Sequence, residues 1–135
     1  MDRADNPLPT GTILLVEEDL QVRDVIREFL TGAGYRVLEA EDGPKALALS
    51  EQYAGPIHLL ITDDITPCMS GPALAARLAH FHPHLQRIFM LDYVDDQLLR
   101  EMEATGCRIL QIPFSREALL GKVRDLLGKP LQDNG

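Results

Sequence analysis

The chain has 135 residues, the size of one ordinary domain, with 45% hydrophobic and 25% charged residues, enough to bury a core without disulfide or metal staples. A net charge of −8 and a pI near 4.8 set the surface against nucleic-acid phosphates, so no direct nucleic-acid binding is expected. Cys68 and Cys107 show neither metal-ligand spacing nor a disulfide framework, and no apolar run reaches membrane-spanning length, so the expectation is a cytoplasmic protein without membrane insertion.

Residues 1–10, MDRADNPLPT, are polar with two prolines and read as a disordered leader. The domain is expected over residues 11–128, with residues 129–135 as a C-terminal tail. Within it, short apolar runs alternate with amphipathic stretches. Residues 13–16 (ILLV) are too short for a helix and apolar throughout, which suits a strand buried on both faces. Val22, Val25, Ile26, Phe29 and Leu30 follow at helical spacing, with Arg23, Asp24, Arg27 and Glu28 between them, and Gly32 and Gly34 end the helix.

The second unit is a strand at 35–40 and a helix opened by Asp42, Gly43 and Pro44 and running to Tyr53. The third is a strand at 57–62 and, after a loop, a helix from about Pro72 to Phe81 carrying Leu74, Leu78 and Phe81. A strand at 87–91 precedes a helix near 95–105. A strand at 108–112 precedes a helix that Ser115 caps and Gly128 ends. Five βα alternations predict an α/β fold, a parallel sheet with helices on both faces.

The first strand runs directly into Glu17 and Glu18, and the third into Asp63 and Asp64. In a five-stranded sheet of order 2-1-3-4-5, the flavodoxin-like arrangement, ligands bind where the strand order reverses, between strands one and three. That topology brings Glu17, Glu18 and Asp63 into one cleft. Crowded carboxylates either take up a proton or bind a cation, and an all-oxygen set with open positions suits Mg²⁺. Strand-end acids also occur simply as solvated residues or helix caps. The histidines in HFHPH, His80, His82 and His84, sit where Pro83 breaks a helix and read as a solvated turn.

The segments ILLVEEDLQVRDVIREFLTGAGYRVLEAEDGPKAL, LLITDDITPCMSGPALAARL and IPFSREALLGKVRDLL together resemble the response-regulator receiver domain of two-component signalling, over about residues 12–128. The middle and closing segments are most similar to receivers attached to hybrid sensor histidine kinases. The resemblance implies a (βα)₅ receiver fold and a phosphorelay role. Asp63, followed by Pro67 and Gly71, would accept a phosphoryl group from a histidine kinase or histidine phosphotransfer protein. Glu18 would hold Mg²⁺ directly, Glu17 often through water, and the Ile65 backbone carbonyl would be a further ligand. Such a domain is not an enzyme beyond self-catalysed phosphotransfer. A homodimer through the face of the fourth helix, fifth strand and fifth helix is a further implication.

The sequence departs from that pattern at the switch. Leu91 stands where the family places Ser or Thr, Ile112 where it places Lys, and Ile109 where it often places an aromatic residue. No Lys or Arg lies near these strand ends in the sequence to compensate. A charge-assisted hydrogen bond contributes roughly 1.5–3 kcal/mol, so losing both contacts weakens the phosphorylated conformation by about as much as a conformational bias amounts to. Two readings follow: a phosphoacceptor with an impaired switch, or a pseudo-receiver acting as a phosphorylation-independent interaction module. A phosphohydrolase of related topology needs a general acid where Ile65 stands, and a flavin site needs a phosphate-cradling loop where Glu17 and Glu18 stand. The bond between Ile112 and Pro113 is expected to be cis.

Overall fold

The computed structural model describes residues 11–63, 71–92, 95–104 and 108–128. Its elements alternate strictly: β1 Thr12–Val16, α1 Leu20–Gly32, β2 Arg36–Ala40, α2 Gly43–Gln52, β3 Leu59–Asp63, α3 Gly71–Phe81, β4 Gln86–Leu91, α4 Asp96–Ala104, β5 Arg108–Gln111 and α5 Arg116–Leu127. All strand pairs are parallel, and the sheet order is β2-β1-β3-β4-β5, as the alternation predicts.

Alternation along each strand sends successive side chains to opposite faces, and the two faces meet different helices. Ile13 and Leu15 of β1, Leu59 and Ile61 of β3, and Ile88 and Met90 of β4 pack with Ile26 and Leu30 of α1 and with Leu119, Leu120 and Val123 of α5. Leu14, Val16, Leu60, Phe89, Leu91 and Ile109 pack instead with Ala46 of α2 and with Leu74, Ala75 and Leu78 of α3. Every residue of β1 is buried, which is why that strand reads as an unbroken apolar run. Each fully buried leucine or isoleucine contributes roughly 1.5–3 kcal/mol, so these two layers carry the stability.

Helix starts follow local chemistry. Asp42 accepts from the Lys45 amide, and Pro44 lies in the first turn. Ser115 accepts from the Ala118 amide, and Asp19 from the amides of Gln21 and Val22. Gly34, at φ +101°, turns the chain from α1 into β2 with a backbone that a side chain would strain. The peptide between Ile112 and Pro113 is cis, as expected.

Some expectations shift. The helical spacing of Val22 and Val25 with Ile26 predicts one buried face on α1, yet they are 40% and 49% exposed, because Ile26 and Leu30 alone meet the sheet squarely. Phe81 is 46% exposed and stacks edge-on against His80 rather than joining the core. β3 begins at Leu59 rather than at residue 57, although Ile57 is buried. β5 ends one residue early, but the Ile112 amide still donates to the Leu91 carbonyl at 2.8 Å. The leader, the tail, and Asp64, Ile65, Pro67, Cys68 and Cys107 lie outside the described residues.

Candidate phosphoacceptor site

The register of β1 against β3 pairs Val16 with Thr62, so the next residue of each strand, Glu17 and Asp63, emerges side by side at the carboxyl edge of the sheet. Glu17 continues the strand by one hydrogen bond, its amide donating to the Ala40 carbonyl at 3.1 Å. Its side chain is buried, and its Oε2 accepts from the Asp19 amide at 3.0 Å. Asp63 is half-buried and lies within hydrogen-bonding reach of the Glu17 carboxyl.

This environment holds the Glu17 carboxyl above the usual carboxylate range. Burial is the first cause; the charge of Asp63 and its hydrogen bond add to it, and the Asp19 amide opposes it. Glu17 and Asp63 are thus the two acids the fold brings together, whereas Glu18 is exposed. Among the described residues no group of three His, Cys, Asp or Glu side chains is arranged to hold a metal.

Two residues of this edge carried no functional signal in the sequence. Asp19 caps α1 with its side chain and locks the Glu17 carboxylate with its amide. Arg23, one turn into α1, folds back so that its Nη1 donates to the Glu17 carbonyl at 2.7 Å and its Nε to Glu39 Oε1 at 3.3 Å. An Asp directly before an apolar-periodic run is the signal that could have marked Asp19 as a cap. Arg23 looked like any solvent-facing helix cation.

The other half of the edge is apolar. Leu91 ends β4 at 8% exposure and Ile109 lies in β5 at 5%, both in the layer under α2 and α3. Ile112 packs against the opposite layer with Phe114. Together with Gln21, Val22, Val25, Phe29 and Met90 it lines a shallow apolar groove of about 320 Å³ beside α1. At the far end of the sheet a second groove, of about 600 Å³, includes His58, His82 and His84. There His82 Nε2 lies 3.3 Å from the Ser50 carbonyl, while His80 and His84 are exposed, in keeping with a solvated turn.

The family model for the response regulator receiver domain matches residues 13–124. The chain belongs to that family. It is 32% identical over 130 residues to the sensor kinase CckA of Brucella abortus, a match covering 96% of this chain and 14% of that kinase. It is 29% identical over 116 residues to the response regulator receiver protein CpdR of the same organism, covering 85% of this chain and 95% of CpdR. The crystal structure of the receiver domain from the hybrid histidine kinase CckA superposes with a TM-score of 0.73 at 34% identity, covering 87% of this chain and 99% of that one. This receiver domain is therefore a signalling module of two-component systems, similar both to a part of a kinase and to a nearly whole single-domain regulator. Among its described residues no helix is long and apolar enough to cross a membrane.

Proposed function

We propose that this receiver accepts a phosphoryl group on Asp63 from a histidine kinase or histidine phosphotransfer protein, and that its conformational switch is impaired. The observation that carries the first half is the Glu17–Asp63 pair, a buried acid against a half-buried one at the carboxyl edge of β1 and β3. Two carboxylates so placed call for a cation, and receiver domains generally bind Mg²⁺ for phosphorylation. The donors fit a hard dication: Glu17, Glu18 and Asp63 offer oxygen only, and the Ile65 carbonyl, outside the described residues, would complete the set. When bound, the cation offsets the charge of the incoming phosphoryl group.

The chain's own part is nucleophilic. An Asp63 carboxylate oxygen forms the new bond to phosphorus as the bond to the donor's imidazole nitrogen breaks, and the imidazole leaves with the electron pair. Glu17, held by the Asp19 amide, crowds Asp63 with a second carboxyl, and a bound cation would relieve that crowding. The donor protein must cover the edge where Asp63 opens. Exposed Leu20, Val22 and Val25 of α1 offer it apolar surface beside that edge.

The second half rests on Leu91 and Ile109, both buried in the layer under α2 and α3. Leu91 has no hydroxyl to donate to a phosphoryl oxygen, and β-branched Ile109 has restricted χ1 freedom. Ile112 brings no ammonium. Phosphorylation then leaves the α4-β5-α5 face as it was, a constant surface for partners or for a second copy.

The test is incubation with acetyl phosphate and Mg²⁺, followed by intact mass measurement. Wild type gains the mass of one phosphoryl group and Asp63→Asn gains none. A wild type that gains nothing under conditions that load an ordinary receiver makes the chain a pseudo-receiver, a phosphorylation-independent interaction module.

A further inference from the structure

The turn that follows β1 is held by one side chain from the next helix. Arg23 is largely buried, with 16% of its side chain exposed. Its Nη1 donates to the Glu17 carbonyl at 2.7 Å and its Nε to Glu39 Oε1 at 3.3 Å. Its amide donates to the Asp19 carbonyl at 2.9 Å, which fixes where the side chain starts. Glu39 is held from the other side as well, its Oε2 lying 3.5 Å from Arg27 Nε. The guanidinium therefore spans from the end of β1 to an acid on the neighbouring strand β2.

The Glu17 carbonyl belongs to the peptide that joins Glu17, whose side chain lies against Asp63, to exposed Glu18. Fixing that carbonyl fixes the plane of the peptide, and with it the direction in which the chain leaves Glu17. The Asp19 amide closes the same turn from its far side by donating to Glu17 Oε2. An exposed Arg–Glu pair contributes little by itself. A rigid planar fork holding a carbonyl and a carboxylate at once does more, because it sets an angle that the single ammonium of lysine cannot.

We propose that Arg23 is a positioning residue of the acceptor site: by gripping the Glu17 carbonyl and Glu39 together, it fixes the turn that presents Glu17 to Asp63 and sets where the two acids, Glu17 and Glu18, meet a divalent cation. This rests on reading the cleft as a cation-assisted acceptor site. Arg23 touches neither the cation nor the phosphoryl group; it acts through the backbone of the acids that do.

The experiment compares wild type, Arg23→Gln, Arg23→Lys and Glu39→Gln by calorimetric Mn²⁺ titration, and follows hydrogen exchange of the Asp19 amide in the metal-free proteins. Arg23→Gln is expected to weaken Mn²⁺ binding about tenfold, the lower end of what losing an outer-shell partner costs a metal site, and to speed Asp19 exchange. Arg23→Lys recovers part of the affinity. Glu39→Gln loses less than Arg23→Gln, and it carries the test if Arg23→Gln does not fold. Unchanged Mn²⁺ affinity in Arg23→Gln, or in Glu39→Gln where that variant stands in for it, overturns the proposal whatever the exchange rates do. So does a loss shared equally by Gln and Lys with exchange rising evenly along α1 and β2, which is the signature of packing alone. A wild type that takes up no Mn²⁺ sinks the acceptor reading itself. Asp19 exchange then decides the role of Arg23: faster in Arg23→Gln supports the grip on the turn, unchanged overturns it.

Discussion

The carboxyl edge of this sheet has two halves built on opposite principles. At the ends of β1 and β3, Glu17 and Asp63 are crowded together, with polar locks from Asp19 and Arg23 holding the turn in place. At the end of β4 and just past β5, Leu91 and Ile112 are absorbed into the two core layers, as is Ile109 deeper in β5. The first half keeps a charge arrangement that costs stability, which a fold retains where a ligand repays it. The second half is packing, side chains that carry neither a hydroxyl nor an ammonium. On the function proposed above, receiving a signal and changing shape in response become separable, lodged in neighbouring strand ends.

The largest effect is expected on the packed half. Leu91→Thr restores the hydroxyl of an ordinary receiver but sets it in an apolar layer and leaves a void. Unfolding in urea should show a loss of roughly 2–3 kcal/mol, the combined scale of a lost apolar contact and a buried hydroxyl. A neutral result would mean that Leu91 is not bearing on the core, and the contrast between the two halves would weaken.

A smaller loss is expected at Asp19, whose side chain caps α1 while its amide locks Glu17. Asp19→Ala removes the cap alone and should cost about 1 kcal/mol. The same change should leave divalent affinity nearly intact, because the amide that meets Glu17 belongs to the backbone. Thermal unfolding and Mn²⁺ titration of the one variant separate the two roles.

The smallest effect has the opposite sign. The Glu17 carboxyl is raised above 4.5 in the folded chain, by burial first and by Asp63 second, so the folded state binds its proton more tightly than the unfolded state does. Folding is therefore favoured at low pH, and this contribution is lost as pH rises through the usual carboxylate range to the folded value. Glu17→Gln keeps an oxygen for the Asp19 amide and removes the charge. In metal-free buffer at neutral pH it should unfold at a higher temperature than wild type. That advantage should close as pH falls toward 4.5, and Mg²⁺ should raise the melting temperature of wild type more than that of the variant. Equal stability across the pH range would show that the two acids do not repel.

Much of this architecture was readable in advance, for identifiable reasons. The run ILLV had to be a strand buried on both faces, and Asp42, Pro44, Ser115 and Gly128 mark helix ends by their own backbone chemistry. The meeting of Glu17 with Asp63 followed from strand order alone. Side-chain exposure along α1 did not, because Val22 and Val25 share helical spacing with Ile26, and only the distance to the sheet decides which flank is covered. Nor did the difference between Glu17 and Glu18, since which of two consecutive acids turns inward depends on the pleat at the last strand residue. Arg23 escaped notice because its partners are a carbonyl and an acid sixteen residues away on another strand.

The central claim, an intact acceptor beside a fixed switch, is tested most directly by amide chemical shifts with and without beryllofluoride in the presence of Mg²⁺. Shifts confined to the Glu17–Asp19 turn and the neighbourhood of Asp63 are expected, with α4 and β5 unmoved. Large shifts spreading through α4 and β5 would contradict it and return this chain to the ordinary phosphorylation-driven receivers.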